Sequence, residues 1–289
     1  MRFAALALVA LLIAGGASIA HAAPTPPEAG QPIVIGQSYV ISSRVLGGPR
    51  RINVYLPADY NQPGRRFPVL FLLDGGVGED FVHIAGLAQI LGAYGDAQQM
   101  IVVGIEGVDR RHDLTEPSAY PEDAKLAPTG GGAAAYRRFL VDEVKPWVAA
   151  HYAISGRSAL IGESFGGLFV LDTLLREPAA FDDFIAISPS LWWDGGNLSR
   201  DAGPALRGLA GAGKRLWLAF EPSPQSPTHD SAAEAEANAR LVAALSKAEV
   251  TGFSWTIRSM PGETHATILH PAAREALRAL YPGQRGPGG

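Results

Sequence analysis

Five short apolar runs constrain this chain more than anything else in it: Val69 to Leu73, Met100 to Glu106, Ser158 to Gly162, Phe184 to Ser188 and Arg215 to Phe220. Each is too short for a free-standing helix, and the first is apolar throughout, which is how a strand covered on both faces reads. Between them lie longer stretches of helical period. Phe81 to Tyr94 is one. In another, Tyr136, Phe139, Leu140, Val144, Trp147 and Val148 share a face, with Pro146 as an expected kink. Further helices are predicted from Phe165 or Gly166 to Arg176, Ala232 to Ala248 and Pro271 to Tyr281, and a last strand over FSWTIRSM. Strands alternating with crossover helices require a mostly parallel central sheet with helices on both faces, an α/β fold. Tyr39 to Ser43 and Ile52 to Pro57 read as an antiparallel strand pair at its N-terminal edge.

The remaining chain is read as follows. Residues 1–22 place Arg2 ahead of an apolar run that ends in Ala20-His21-Ala22, the pattern of a cleaved secretory signal. Residues 23–37 form a Pro-rich leader, 38–283 a single α/β domain and 284–289 a Gly-rich tail. Such a protein is periplasmic or secreted, with no stable membrane anchor after cleavage. It has no cysteine, which excludes a disulfide scaffold, thiolate metal sites and a Cys nucleophile. A net charge of −4 without a Lys/Arg run argues against nucleic acid as a partner. No H-E-x-x-H spacing or G-x-G-x-x-G turn suggests a metal or dinucleotide, so no cofactor is expected.

Gly162-Glu163-Ser164-Phe165-Gly166 fits G-x-S-x-G between a predicted strand and a predicted helix, which is the setting the motif requires. There the chain reverses sharply and leaves Ser164 at a strained tip as a candidate nucleophile. Attack by a serine creates an oxyanion, which needs fixed donors. The N–H of Phe165, just after the nucleophile, is one candidate. The N–H of Gly76, in the turn Asp74-Gly75-Gly76 after the Val69 to Leu73 strand, is the other.

A serine nucleophile needs a base, and in this fold the chain order is Ser, acid, His. Of seven histidines, His265 and His270 alone follow Ser164 beyond the Pro/Ser-rich loop that holds His229. His265 is preferred, because MPGETHAT lies directly between the last strand and the last helix, whereas His270 adjoins Pro271 at a helix start. The acid is expected after the Arg215 to Phe220 strand, where Glu221 and Asp230 both qualify. Glu221 is nearer the strand end but precedes Pro222, and Asp230 follows the EPSPQSPTH insert, just before the Ala-rich helix.

The long segment Val108 to Gly132 has no clear period and is expected near a site. Within it Arg110 is a candidate for an anionic group, with Asp109 and Asp113 flanking it as local ion-pair partners. Trp192 and Trp193, after Ser188-Pro189-Ser190-Leu191, sit at the carboxyl edge where ligands bind open α/β sheets. They suit either stacking on an aromatic acyl group or core packing.

LFLLDGG, RRHDLT, FLVDEVKPWVAAHY, GESFGGLFVL, ISPSLWW and GETHATILHPAAREAL occur in this order. Together they resemble the esterase branch of the α/β-hydrolases, and within it the periplasmic catecholate-siderophore esterases that open enterobactin-like trilactones. The resemblance runs from about Val40 to Leu280. It implies the α/β-hydrolase fold and an exported serine esterase acting through an acyl-enzyme on a small-molecule ester, with a ferric catecholate siderophore as one candidate. It also implies Ser164 as nucleophile, His265 as base, Gly76 and Phe165 as oxyanion donors and, through a carboxylate preceding ANARLVAAL, Asp230 as the acid. The same branch holds feruloyl and acetyl esterases. A non-catalytic ligand-binding module on the same scaffold is the rival from another class.

Overall fold

An eight-stranded mixed sheet forms the centre of the computed structural model, which describes residues 30–221 and 231–284. The expected signal (residues 1–22), the start of the Pro-rich leader, Asp230 and the last five residues lie outside the described residues. Among those described, no helix is long and apolar enough to cross a membrane.

The strands are β1 (Gln37–Ser43), β2 (Gly48–Tyr55), β3 (Phe67–Leu72), β4 (Ile101–Ile105), β5 (Ile154–Glu163), β6 (Asp183–Ile187), β7 (Lys214–Phe220) and β8 (Phe253–Ser259). Their spatial order is β1-β2-β4-β3-β5-β6-β7-β8. β2 runs antiparallel to both β1 and β4, and every other pair is parallel. This is the α/β-hydrolase arrangement with the antiparallel N-terminal edge that the sequence predicts. β3, β4 and β6 are buried along their whole length, and their side chains alternate between two apolar layers. Val69 and Phe71 face one layer, Leu70 and Leu72 the other.

The helices follow the expected crossovers. α1 (Phe81–Ala93) joins β3 to β4 and packs, with the C-terminal helix (Leu269–Leu280), on the face that holds Leu70 and Leu72. The Val108 to Gly132 segment contains two short helices, α2 (Arg110–Leu114) and α3 (Pro121–Leu126). The predicted kinked helix resolves into α4 (Ala133–Phe139), a π-turn over Leu140–Val144 and α5 (Lys145–His151). Pro146 has no N–H to donate, and the widened turn just before it absorbs that defect. α6 (Phe165–Arg176) follows β5. α7 (Trp193–Arg207), which the sequence reading does not contain, is broken at Asp194, Gly195 and Gly196 by positive φ angles of 50°, 60° and 81°. α8 (Ser231–Lys247) and α9 (Leu269–Leu280) complete the chain order. α8 lays Ala237, Leu241 and Leu245, four residues apart, on the layer that holds Val69 and Phe71.

One buried charge anchors the end of the sheet away from the strand tips. Asp183, at the start of β6, is fully buried and accepts hydrogen bonds from Arg157 Nε (3.0 Å), Arg215 Nη2 (2.9 Å) and the Tyr281 hydroxyl (2.6 Å). Burial pushes its carboxyl up, but these donors outweigh burial and hold it below the usual carboxylate range.

Candidate active site

β3 and β5 are neighbours, yet the chain leaves β3 for β4 on one side and returns to β5 on the other. Helices on opposite faces cannot both close over the carboxyl ends of such a pair, so a crevice opens there. Among the described residues, Arg110, Ser164, Glu221 and His265 come together at this edge.

The turn after β3 is Asp74-Gly75-Gly76. Asp74 has φ 51°, and a Cβ on Gly75 would stand 2.3 Å from Gly104 Cα, so Gly75 is needed for the chain to approach β4. After β5 comes the tip itself: Ser164 has φ 59° and ψ −119°, and its N–H donates to Ile187 O at 3.0 Å. A Cβ on Gly162 would lie 2.6 Å from the Gly166 backbone, the steric reason for the first glycine of the motif. Phe165 begins α6, so its N–H is aimed outward at a helix start. The third strand of the group, β6, ends in Ser188 with φ 43°. Three strands lying side by side are therefore each followed, within two residues, by a residue other than glycine at positive φ. Strain of this kind persists only where the surroundings enforce it and concentrates at functional sites.

His265, on the β8–α9 connection, reaches the same edge. Its Nδ1 lies 3.0 Å from Glu221 Oε1 and 2.9 Å from Ser188 Oγ, and the Ser188 hydroxyl donates in turn to the other Glu221 oxygen. Glu221 is buried at the end of β7. Burial pushes its carboxyl up, but the hydrogen bonds from His265 and Ser188 overcome this and hold it low, so it stays ionised. The hydrogen bond that His265 donates to Glu221 raises the His265 pKa above the ordinary imidazole value, burial opposes that rise, and the Glu163 charge adds to it. Thus Glu221, one of the two acids left open by the sequence, contacts His265, while Asp230 lies outside the described residues. The alternative base, His270, is in α9 with its ring edge against His83 of α1 at 6.3 Å.

The free site is not poised for proton transfer. Ser164 Oγ has Ser190 Oγ as its partner at 3.2 Å, and His265 Nε2 faces Glu163 Oε1 at 3.2 Å. The Gly76 N–H, a candidate oxyanion donor, is engaged by Glu79 Oε2 at 2.6 Å.

Arg110 is part of the site in a way its neighbours in sequence do not indicate. The expected pairing with Asp109 or Asp113 does not form: Asp109 caps α2 through His112 N–H, and Asp113 faces Arg50 at 3.7 Å. Instead Arg110 Nε donates to Asp74 Oδ1 (2.8 Å), Nη2 donates to Glu163 O (3.1 Å), and the guanidinium lies over the Phe165 ring at 5.7 Å. It ties the turn after β3 to the tip after β5. Arg110 opens the five-residue helix α2, and its guanidinium reaches away from that helix to Asp74, whose side chain is mostly buried.

The two tryptophans divide. Trp193 is buried, donates its indole N–H to Glu116 O at 2.9 Å and meets Phe165 edge-on at 5.7 Å, so the packing alternative describes it. Trp192 is half-buried, with its ring 5.6 Å from Phe165, and keeps part of its surface at the rim. Ser188, Ser190, Glu163 and Glu79 were not singled out by sequence reasoning. The motif ISPSLWW carried both serines, and its place at a strand end was the one available signal.

The family model described as Esterase matches residues 43–268. The chain is 31% identical over 247 residues to the ferri-bacillibactin esterase BesA of Bacillus subtilis, covering 76% of this chain and 81% of that protein. It is 34% identical over 110 residues to the siderophore enterobactin esterase of Emericella nidulans, covering 35% and 36% of the two chains. An IroE-like serine hydrolase from Shewanella oneidensis has a solved structure that superposes with a TM-score of 0.78 at 27% identity, covering 85% of this chain and 80% of that one. The siderophore hydrolase EstA from Aspergillus nidulans shares the fold, with a TM-score of 0.72 at 23% identity over 87% and 97% of the chains.

Proposed function

This chain belongs to the Esterase family, and from that premise we propose that it is an exported serine esterase that opens the ester bonds of a siderophore through an acyl-enzyme. Ser164 is the nucleophile, His265 the general base, Glu221 its carboxylate partner, and the N–H groups of Gly76 and Phe165 the oxyanion donors. The observation that carries the reading is the 3.0 Å contact between His265 Nδ1 and Glu221 Oε1 at the strand edge that also holds Ser164 on its left-handed tip.

The chemistry follows from that contact. Glu221 fixes the tautomer with the proton on Nδ1, which leaves the Nε2 lone pair to take the Ser164 proton as Oγ attacks the ester carbonyl. The oxyanion is met by the Phe165 N–H and, once Glu79 has moved, by the Gly76 N–H; each such donor is worth about 10²–10³ in rate. His265 then gives its proton to the departing alcohol, and water, deprotonated by the same nitrogen, releases the acid from Ser164. The names of the siderophore esterases of Bacillus subtilis and Emericella nidulans support a siderophore ester as substrate, with a catecholate trilactone the first candidate. Export rests on the Arg2-led apolar run and its Ala20-His21-Ala22 end.

Two measurements test this. Ser164→Ala is expected to lower hydrolysis of a short p-nitrophenyl ester by about 10⁴-fold or more with an unchanged circular dichroism spectrum, and to abolish labelling by a fluorophosphonate. Retention of most activity overturns the nucleophile. A panel of ferric and iron-free trilactones beside feruloyl and acetyl esters is expected to give its highest kcat/KM on a trilactone. A preference for the feruloyl or acetyl ester overturns the substrate.

A further inference from the structure

His265 is bracketed by carboxylates at both ring nitrogens, Glu221 at Nδ1 (3.0 Å) and Glu163 at Nε2 (3.2 Å). A neutral imidazole carries one N–H. With Nδ1 facing Glu221, a bare Nε2 would bring its lone pair close to those of Glu163 Oε1, an approach that a proton on either atom relieves. While it is there, Nε2 cannot accept the proton of Ser164. Resting on the Ser164–His265 reading above, we propose that Glu163, the residue before the nucleophile, is a positioning residue that holds His265 in this proton-bearing, turned-away pose. The free enzyme becomes competent as the Glu163–His265 pair gives that proton up.

The surroundings of Glu163 favour such a shared proton. Its Oε1 is buried and makes no well-aligned hydrogen bond, so the imidazole is its ionic contact. The charged groups around it come from four elements. Asp74 on the turn after β3 and Asp80 at the start of α1 oppose its ionisation; Arg110 of α2 and His265 of the β8–α9 connection favour it. Burial is the largest influence, and the carboxyl is pushed up to about 7. From the other side, Glu221 and Glu234 add to the field on the imidazole. Glu163 and His265 therefore exchange the proton near neutrality, and the last one leaves the pair at a higher pH than it would leave an isolated imidazole. The backbone helps to fix this geometry, because Arg110 holds the Glu163 carbonyl at 3.1 Å and Ser164 is locked in its left-handed conformation.

The test is the pH profile of kcat/KM on a neutral p-nitrophenyl ester. The wild-type acid limb is expected above the ordinary imidazole range, and Glu163→Gln, which keeps the shape and removes the charge, is expected to move it down by about one pH unit. Near pH 6 the variant then shows a several-fold larger fraction of its own plateau activity than the wild type does. The second measurement needs no turnover: in the Ser164→Ala background, the His265 pKa read by NMR is expected to fall when Glu163→Gln is added. An unmoved limb together with an unmoved His265 pKa overturns the proposal. His265→Ala separates this from the parent reading. If that variant is inactive and Glu163→Gln changes nothing, the role of Glu163 alone fails; if it keeps full activity, the assignment of His265 as base fails and this proposal with it.

Discussion

The backbone N–H of Gly76 donates to the Glu79 carboxylate three residues further on, at 2.6 Å, and the same oxygen accepts from Gly107 N–H at 3.3 Å. An oxyanion that used Gly76 would compete with this side chain for one hydrogen. Glu79→Ala is therefore expected to raise kcat/KM on a small neutral ester by roughly 3- to 10-fold, the worth of about 1 kcal/mol of charge-assisted hydrogen bond no longer broken on the way to the transition state. Steady-state kinetics read the change; a fall in kcat/KM would mean that Glu79 braces the turn instead.

Glu221 and Asp230 are separated by their effect on rate. Glu221→Gln keeps the shape but lets the wrong imidazole tautomer form, and kcat is expected to drop by about 10³–10⁴-fold. Asp230→Asn is expected to stay within about 2-fold of wild type, since Glu221 already faces the His265 Nδ1. Equal losses in both variants, or the reverse order, would assign the acid to the insert.

Ser188 contacts both members of the pair, with Oγ 2.9 Å from His265 Nδ1 and its hydroxyl donated to Glu221. Ser188→Ala is expected to lower kcat by about 10-fold with KM little changed, since an orienting bond to a charged acceptor is lost and no substrate contact is. A change confined to KM would place Ser188 on the substrate instead.

The fully buried Asp183 carboxylate bears on stability. Asp183→Asn removes the negative charge and one of the two acceptor oxygens shared by Arg157, Arg215 and Tyr281, and unfolding free energy in urea is expected to fall by about 3–5 kcal/mol. Because the folded carboxyl is held below its unfolded value, its contribution is fully present above the ordinary aspartate pKa and is lost as pH falls through the depressed one. Wild-type stability should therefore decline in acid more steeply than that of the variant, measured by urea midpoints at pH 3 to 6.

Much of the framework was legible because it depends on local pattern. The all-apolar run at Val69 and the glycines around Ser164 each have one good structural reading, and the strands and α6 formed where those readings put them. Short helices were not legible: α2 and α3 have five and six residues, too few to repeat a 3.6-residue period, and α7 is interrupted by Gly195 and Gly196. The contacts of the site were harder still. Glu221 meets His265 across 44 residues and Arg110 meets Asp74 across 36, distances that sheet order closes and local sequence does not encode. Sequence reasoning paired Arg110 with its neighbours for that reason. It also left the acid open, because Pro222 says how the chain leaves β7 but not what stands opposite Glu221.

The left-handed endings at Asp74, Ser164 and Ser188 carry a cost for anyone wishing to toughen this molecule. Glycine at Asp74 or Ser188 would relax the main chain and could raise the melting temperature, but it would also delete the carboxylate that anchors Arg110 or the hydroxyl that steadies the imidazole. Durability and turnover are set against each other at the same few torsion angles, so thermostabilising changes belong in the helices on either side and not on this rim.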